Sequence, residues 1–330
     1  MPIVSIIIPT ARRPDLLHRA IESCLVGIYK NETEVLVIAN GPDISWKKTA
    51  DLYENDSRVI FHYSCIADQN NARNIGIALA KGDIVRFLDD DDYLMPIAAS
   101  NQYKLMQQHD LDWCAGGISI VDEEDHTIEE LFQPQMPTAA QTAISRNRLQ
   151  LVHAHVYRRK SIEKLRWTVG LRQSEDIVWI INYATSSKLR WMIINEVVGA
   201  WYQHRGTRLS LNRPSGFIHE ATANAILNAE RYMKEFDMWS SDTSKVGAEA
   251  IWDLVHRAFF FRPFFWSNIA KEAIRLDKNT KPDYSIYKNK FLKYLDPRLI
   301  LWAALPIVFL RNLFRFIRAI FITPNYRRTL

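Results

Sequence analysis

Four consecutive aspartates, Asp89 to Asp92, follow directly after the short apolar run 84–88. Neighbouring carboxylates make each other harder to ionise, so such a group favours a nearby counter-charge. A divalent cation can supply that charge, because Mg2+ prefers oxygen ligands and commonly takes one or two protein carboxylates together with water and substrate phosphates. A solvated acidic turn without any chemistry is the alternative. The residue types alone leave both explanations open.

The position of the four aspartates favours the cation site. Residues 84–88 are short, mostly apolar and partly β-branched, which is typical of a buried strand. In open α/β sheets, ligands bind beyond the carboxyl ends of the strands, which is where these aspartates would lie. We therefore expect a ligand site at this end of the predicted sheet.

Strands and helices are predicted to alternate through the first half of the chain. This alternation favours parallel pairing and a doubly wound α/β sheet. Residues 122–150 are predicted to form a long surface loop with a weak helix, and the chain is predicted to be mostly helical from Phe217 onward. The predicted strands are 3–8, 33–39, 59–63, 84–88, 112–121, 155–157, 189–194 and 198–202, and the predicted helices are 16–24, 44–54, 70–80, 96–109, 160–165 and 177–186.

The composition describes an ordinary globular protein, with 48% apolar and 24% charged residues. The formal net charge is +5, but residues 297–330 contain six arginines, no lysine and no acidic residue, so the rest of the chain carries a net charge of −1. This distribution argues against nucleic acid as a partner. Three widely spaced cysteines and an N-terminus without a basic leader or a long apolar run predict reduced thiols and a cytoplasmic location.

The C-terminal tail, about 297–322, predicts an amphipathic helix. Residues 299–310 carry no charge, but they are too few to span a bilayer, which needs about 20 residues. Further along, Arg311, Arg315 and Arg318 share one face of the predicted helix and apolar residues cover the other. Such a helix would lie in the interface of an anionic membrane. Packing on the body of the protein or on another subunit is the alternative, although a packing helix has no reason to exclude every acidic residue.

Six separated segments, in order along the chain, resemble the inverting family 2 glycosyltransferases, whose nucleotide-binding fold is called GT-A. The resemblance implies a Rossmann-like, mostly parallel α/β sheet flanked by helices over residues 1–215, followed by a helical region over 216–330. The matching segments are Val4 to Thr10, Asn71 to Gly76, Gly82-Asp83 leading into Asp89 to Asp92, Tyr157 to Arg159, Glu175-Asp176, and His204 with Ser210.

The resemblance also implies an activity. It is the metal-dependent transfer of a sugar from a nucleotide diphosphate donor, expected to be a UDP-sugar, to a hydroxyl group of a glycan. Such enzymes act in the synthesis of surface polysaccharide, lipopolysaccharide or capsule. The basic tail adds the expectation of a lipid-linked acceptor, with the enzyme peripheral on the inner face of the cytoplasmic membrane.

For the acidic motif, the resemblance implies that Asp89 lies near the ribose and the metal and that Asp91 binds Mn2+ or Mg2+ directly. Asp90 would be the variable middle position of the donor site, and Asp92 would cap the following segment. The remaining implied nucleotide-sugar contacts are Pro9, Thr10, Arg12, Asn40 and Arg73. The family usually has acidic residues at the end of the second strand to read the base, where this chain has Ala39 and Asn40. An amide can also hydrogen-bond a base edge.

The Glu-Asp motif of the family supplies the base that deprotonates the acceptor hydroxyl. By resemblance, Asp176 is this general base and Glu175 orients it or contacts the acceptor. His204 and Arg205 are candidates for contact with the metal or the diphosphate, and an ordinary structural role for His204 remains equally open.

Several alternatives remain at this stage. His153 and His155 alternate along a predicted strand and could form a metal pair, although the family has acceptor-side residues here. Trp179 and Trp191 could stack on sugars, but core packing is the more common role of such aromatics. A sugar-phosphate nucleotidyltransferase would normally show a glycine-rich loop after the first strand, and residues 9–14 contain no glycine. A non-catalytic, membrane-docked glycan-binding protein would not need the complete acidic motifs.

Overall fold

The computed structural model describes residues 3–204 and 215–321, with side chains described for 3–204 and 219–311. The chain forms two compact units. One comprises Met1–Ala143 and Asn147–Asn212, and the other comprises Ile144–Arg146 and Arg213–Leu330. The predictions that concern Arg205, Ser210 and the side chains of Arg315 and Arg318 lie outside the described residues.

The first half of the first unit is a parallel sheet with the strand order β3-β2-β1-β4. Every residue of the central strand β1 is buried. Ile6 and Ile8 belong to one apolar cluster and Ile7 to another, so apolar side chains cover both faces of the sheet. The elements are β1 (Val4–Thr10), α1 (Pro14–Cys24), β2 (Thr33–Asn40), α2 (Lys47–Leu52), β3 (Val59–Ser64), α3 (Gln69–Leu79) and β4 (Ile84–Phe87).

The second half of this unit continues the same sheet. Strand β8 pairs antiparallel with both β4 and β6, and β9 pairs in parallel with β6. Strands β5 and β7 are antiparallel to β9 and β6, respectively. The elements are β5 (Tyr93–Leu94), α4 (Pro96–Gln108), β6 (Trp113–Val121), β7 (Thr127–Leu131), α5 (Ala139–Ile144), β8 (His155–Arg158), α6 (Arg159–Ile162), α7 (Glu175–Thr185) and β9 (Trp191–Tyr202). The predicted α/β fold is confirmed as a mixed sheet with a parallel core.

Two local predictions were wrong. Residues 122–150 are not a loop with one weak helix, because they also contain β7, which forms a hairpin with β6. Four of the five side chains of β7 are exposed, so the strand lacks the alternation that marks a half-buried strand. The segments 189–194 and 198–202 are not separate strands but parts of β9, which continues through the exposed residues Asn195 and Glu196.

Close packing fixes helix α3 on the sheet. A Cβ atom added to Gly76 would lie 2.3 Å from Cγ2 of Ile7 in β1, so only glycine allows this approach of helix and strand. The cysteines form no disulfide; Cys24 and Cys114 are buried, and Cys65 is exposed after β3.

The second unit is helical, as predicted, over its described residues. Its core contains Trp252 and Trp266, and the buried Glu230 forms ion pairs with Arg275 and Lys234. No helix in the described part of the chain has the length and apolarity needed to cross a membrane. The helices are α8 (Ser215–Glu235), α9 (Ser241–Ala258), α10 (Pro263–Leu276) and α11 (Pro297–Phe321).

One side of the first turns of helix α11 packs on the other helices of the second unit. Ile300 and Leu301 are buried, and the ring of Trp302 packs edge-on against Phe259 and Phe264 at centroid distances of 5.5 and 5.2 Å. The opposite side of the same turns is exposed.

Candidate active site

The four aspartates form a turn, Asp89–Asp92, directly beyond the carboxyl end of β4. The N–H of Leu88 donates to the carbonyl of Ile7 at 3.0 Å, which continues the pairing of β4 with β1 up to this turn. Each of the four carboxylates has its own set of partners. Arg13 bonds to both Asp90 and Asp91, Arg73 bonds to Asp89, and N–H groups bond to Asp90 and Asp92, and these contacts relieve the mutual repulsion of the carboxylates.

Asp90 is 6% exposed and holds the loop between β1 and α1. Its Oδ2 accepts hydrogen bonds from Oγ1 of Thr10 at 2.7 Å and from the N–H of Ala11 at 3.2 Å, and its Oδ1 accepts from Arg13 at 3.2 Å. Burial raises the pKa of Asp90 to about 7, and the Arg13 guanidinium acts in the opposite direction. These contacts fasten the loop to the acidic turn.

Asp91 faces a histidine and an arginine. Its Oδ2 lies 3.2 Å from Nε2 of His204, just past the end of β9, and also accepts a hydrogen bond from Arg13. Sequence reasoning named Arg12 and missed Arg13. In the structure, Arg12 has a left-handed backbone, with φ of 66°, and is exposed, while Arg13 reaches the acidic turn; a donor contact of Arg12 stays a prediction. No sequence pattern distinguishes the two arginines.

The donor set at Asp91 fits a divalent cation. A carboxylate oxygen and an imidazole nitrogen converge there. Carboxylates suit both Mn2+ and Mg2+, but imidazole suits transition metals, so this pair fits Mn2+ better than Mg2+. Asp89, the other predicted ligand, is turned toward Arg73 instead. A second acidic group, Asp122 with Glu124 and His126, lies at the exposed turn between β6 and β7 and is the one three-residue metal-type group within the described residues.

Asp92, which was expected to cap the following segment, contacts the end of β9 and His153. Its Oδ1 accepts a hydrogen bond from the N–H of Tyr202 at 3.0 Å, and its Oδ2 lies 3.4 Å from Nδ1 of His153. The carboxylate thus ties the acidic turn to the end of β9, two residues before His204.

Arg73 links the acidic turn to helix α7. Its Nη2 donates to Oδ1 of Asp89 at 2.7 Å, and its Nη1 lies 3.4 Å from Oδ1 of Asp176 in the first turn of α7. Glu175 accepts a hydrogen bond from Gln69. Burial raises the pKa of Glu175 and of Asp176, whereas the positive charge of Arg73 lowers both. The structure thus brings the predicted base and the acidic turn to one guanidinium.

The comparison with known proteins agrees with this geometry. Residues 5–166, which include the acidic turn and Arg73, match the family model described as Glycosyl transferase family 2. The chain contains a domain of this family. Residues 5–166 therefore form a glycosyltransferase domain, and the resemblance first noted in the motifs is confirmed.

Two relatives from Escherichia coli and one solved structure are similar to this family 2 glycosyltransferase. The O-antigen biosynthesis glycosyltransferase WbnJ is 27% identical over 59% of this chain and 78% of its own length. The UDP-Glc:alpha-D-GlcNAc-diphosphoundecaprenol beta-1,3-glucosyltransferase WfaP is 32% identical over 40% of this chain and 51% of its own length. The matches to six other curated relatives cover between 18% and 64% of the relatives' own length.

The solved structure is S. aureus TarS, residues 1–349, in complex with UDP. It superposes with a TM-score of 0.62 and 16% sequence identity, and the match covers 84% of this chain and 81% of TarS. At this identity, the similarity concerns the fold, and it supports the GT-A class.

The predicted nucleotide contacts of the glycosyltransferase lie at the carboxyl ends of its first two strands. Pro9 and Thr10 end β1, and Nδ2 of Asn40, at the end of β2, donates to the carbonyl of Thr10 at 3.0 Å. This bond uses the amide nitrogen of Asn40, so the predicted contact with a base would fall to its amide oxygen. Arg12 is exposed in the next loop. The donor contacts of these residues, and those of Asp90 and Arg73, stay predictions.

The two histidines of the glycosyltransferase do not form a metal pair. Nδ1 of His155 accepts from the Trp113 indole N–H at 3.2 Å, and its Nε2 lies 3.2 Å from the carbonyl of Leu149, so both ring nitrogens are engaged. His153 is fully buried in a 3-10 turn. Burial lowers the pKa of His153 to about 3 and that of His155 to about 4.

The two tryptophans also belong to the interior rather than to a sugar-stacking surface. Trp179 is buried and stacks on Trp167 at a centroid distance of 4.5 Å. Trp191 stacks on the buried Trp113 at 5.7 Å.

Proposed function

We propose that this protein is a metal-dependent, inverting glycosyltransferase that moves a sugar from a UDP-sugar to a hydroxyl group of a lipid-linked glycan. Residues 1–215 would form its catalytic domain. The observation that carries the proposal is that the acidic turn contacts His204 through Asp91 and is linked to Asp176 through Asp89 and Arg73. The names of WfaP, with a UDP-glucose donor and a diphosphoundecaprenol-linked acceptor, and of WbnJ, in O-antigen biosynthesis, support the substrate class.

The contacts divide the proposed site into two groups. Asp91, Arg13 and His204 form the first, and Asp89, Arg73 and Asp176 form the second. Asp91 and His204 would hold Mn2+ or Mg2+. When bound, the cation would stabilise the negative charge that develops on the departing diphosphate. Arg13 lies at the same carboxylate and can share in binding the phosphates.

Asp176 is the proposed general base. Its carboxylate would take the proton of the acceptor hydroxyl while the oxygen forms a bond to the anomeric carbon, and the bond from that carbon to the diphosphate breaks. The nucleoside diphosphate leaves with the bonding electron pair. Glu175 precedes Asp176 in the chain and accepts a hydrogen bond from Gln69, and it would orient the acceptor. A positioned base typically contributes about 10^2 to 10^4 in rate.

The substitution Asp176→Asn tests the function and the role of this residue together. We expect the variant to bind UDP and Mn2+ like the wild type in calorimetry and to lose at least about 100-fold in sugar transfer. Asp242→Asn is the matched control, because Asp242 is also an aspartate in the first turn of a helix but lies in the second unit. Near-normal transfer by Asp176→Asn would remove this residue as the base, and failure of the wild type to bind any nucleotide-sugar would refute the function.

We also propose that the protein is peripheral on the inner face of the cytoplasmic membrane, bound through α11. Leu299, Ala303, Ile307 and Leu310 are exposed and recur at helical spacing, so they form one face of the helix. This face carries no charge, and Arg311 follows it at an exposed position. An apolar face with basic residues and no acidic ones matches the chemistry of an anionic lipid surface. A membrane-bound enzyme would meet a lipid-linked acceptor directly.

A further inference from the structure

Arg73 lies beneath the proposed active site rather than on its surface. The residue is 1% exposed, and its guanidinium stacks 4.4 Å above the ring of Trp167, which itself stacks on Trp179. Its Nη1 also lies 3.3 Å from Oδ1 of Asn70 in the same helix. With the aromatic ring against one face and helix α3 around its base, the guanidinium has little room to move toward a donor.

The charges around this guanidinium do not balance. Three carboxylates act on it, those of Asp89, Glu175 and Asp176. Tyr157 of β8 also interacts with Asp176, and burial raises the pKa of its hydroxyl well above the usual value, so it adds no charge near neutral pH. Among the described residues, Arg73 is the cation that acts on both Glu175 and Asp176, and without its charge, ionising three partly buried carboxylates in one site would be unfavourable.

We infer that Arg73 is a positioning residue, which holds the Asp176 carboxylate in place and in its ionised, proton-accepting form while tying it to Asp89. This inference rests on the proposed function. Arg73 does not touch the reacting atoms in this role. Its two Nη atoms reach two carboxylates on different elements, the turn after β4 and the start of α7. A planar guanidinium can hold both at once, whereas the single ammonium group of lysine cannot do so with the same geometry.

The consequence for catalysis is that removal of Arg73 should change the pH dependence of sugar transfer. Because loss of solvent around Asp176 favours its protonated form and Arg73 opposes this, removal of Arg73 should raise the pKa of Asp176. The base would then be protonated, and inactive, over a wider range of pH. An arginine that only bound the donor would instead change donor affinity and leave the titration of the base unchanged.

The test compares Arg73→Met and Arg73→Lys with the wild type. We expect the acidic limb of the plot of kcat against pH to move upward by one pH unit or more in Arg73→Met, and by less in Arg73→Lys. Affinity for UDP, measured by calorimetry, should stay within about threefold. Arg86→Met is the matched control, because Arg86 is also fully buried in this sheet but is hydrogen-bonded to Gln102 and has no carboxylate partner. It should lower stability without moving the pH limb.

A second readout does not need sugar transfer. The carboxyl carbon of Asp176 can be followed by NMR in protein labelled with 13C-aspartate, without donor or metal, and assigned by its absence in Asp176→Asn. An unchanged titration in Arg73→Lys and Arg73→Met, or a loss of UDP affinity as their main defect, would overturn the inference. If Arg73→Met does not fold, Arg73→Lys decides the question alone. Because the titration is measured on the wild type whether or not it transfers sugar, failure of the proposed function is a separate result.

Discussion

The exposed face of α11 leads to a quantitative prediction about membrane binding. Ile307 and Leu310 are 69% and 61% exposed, so the double substitution Ile307→Asn and Leu310→Asn removes apolar surface without disturbing the core and without changing charge. Fully burying such a side chain contributes about 1.5 to 3 kcal/mol. At these exposures, entry into lipid would contribute about 1 to 2 kcal/mol for each residue. We therefore expect the double variant to bind vesicles roughly 30- to 700-fold more weakly, at about 1.4 kcal/mol per tenfold change.

The assay is co-sedimentation with vesicles that contain an anionic phospholipid, over a range of lipid concentrations. The matched control is Ile97→Asn with Ile128→Asn, which removes two residues of 77% and 62% exposure from the first unit. This control should bind vesicles like the wild type. Added salt should weaken binding of the wild type only in part, because it screens the arginines but not the apolar contact.

A different result would refute the membrane assignment. If the α11 variant binds vesicles within threefold of the wild type, or if the control loses as much, the exposed face is not the lipid contact. The wild type could instead fail to bind vesicles and form dimers in sedimentation velocity, while the variant stays monomeric. In that case the exposed face packs on a second copy of the chain. The design keeps α11 intact because Ile300 and Leu301 belong to the core of its unit, so deletion of the helix would expose that core.

Three further substitutions test separate features of the first unit. Arg13→Gln removes the positive charge that bonds to the Asp91 carboxylate and would repel a bound cation. Mn2+ should therefore bind this variant more tightly than the wild type in calorimetry without donor, and equal or weaker binding would contradict this. His155 stays neutral when folded, because its pKa is lowered from 6.5 to about 4, so stability falls as pH drops through this window. Relative to His155→Gln, the free energy of unfolding of the wild type should fall by about 1.4 kcal/mol more per pH unit, and equal slopes in urea titrations would refute this. Gly76→Ala places a Cβ 2.3 Å from Ile7 and should cost about 1 to 3 kcal/mol in urea unfolding, whereas Gly247→Ala, with its nearest neighbour at 3.5 Å, should cost nothing.

The parts of the fold that depend on local pattern could be predicted from the sequence. The β-branched runs of β1, β2 and β4 are buried on both faces, and such runs stand out wherever they occur. The position of the acidic turn followed from the general rule that ligands bind at the carboxyl ends of strands. Strand β7 could not be predicted from the sequence, because its side chains are mostly exposed and therefore show no alternation of apolar and polar residues.

The details of the site depended on three-dimensional placement. Arg12 and Arg13 are equivalent as residue types, and only the structure shows that Arg13 reaches Asp91 while Arg12, with its left-handed backbone, is exposed. Likewise, the sequence places Arg73 in a motif but does not indicate that a tryptophan ring and two carboxylates enclose it. Long-range partners of this kind are set by packing, which a local pattern cannot encode.

The unequal burial of the three cysteines offers a route to a binding assay. Burial raises the pKa of the Cys24 and Cys114 thiols to about 12, whereas Cys65 is exposed. Since the thiolate is the reactive form, a maleimide dye should attach at Cys65 in the native protein and spare the other two. The preceding residue, Ser64, is paired with Asn40 across β3 and β2. A dye at this position would sit next to the predicted base-reading amide, and its fluorescence would report nucleotide binding without any engineered mutation.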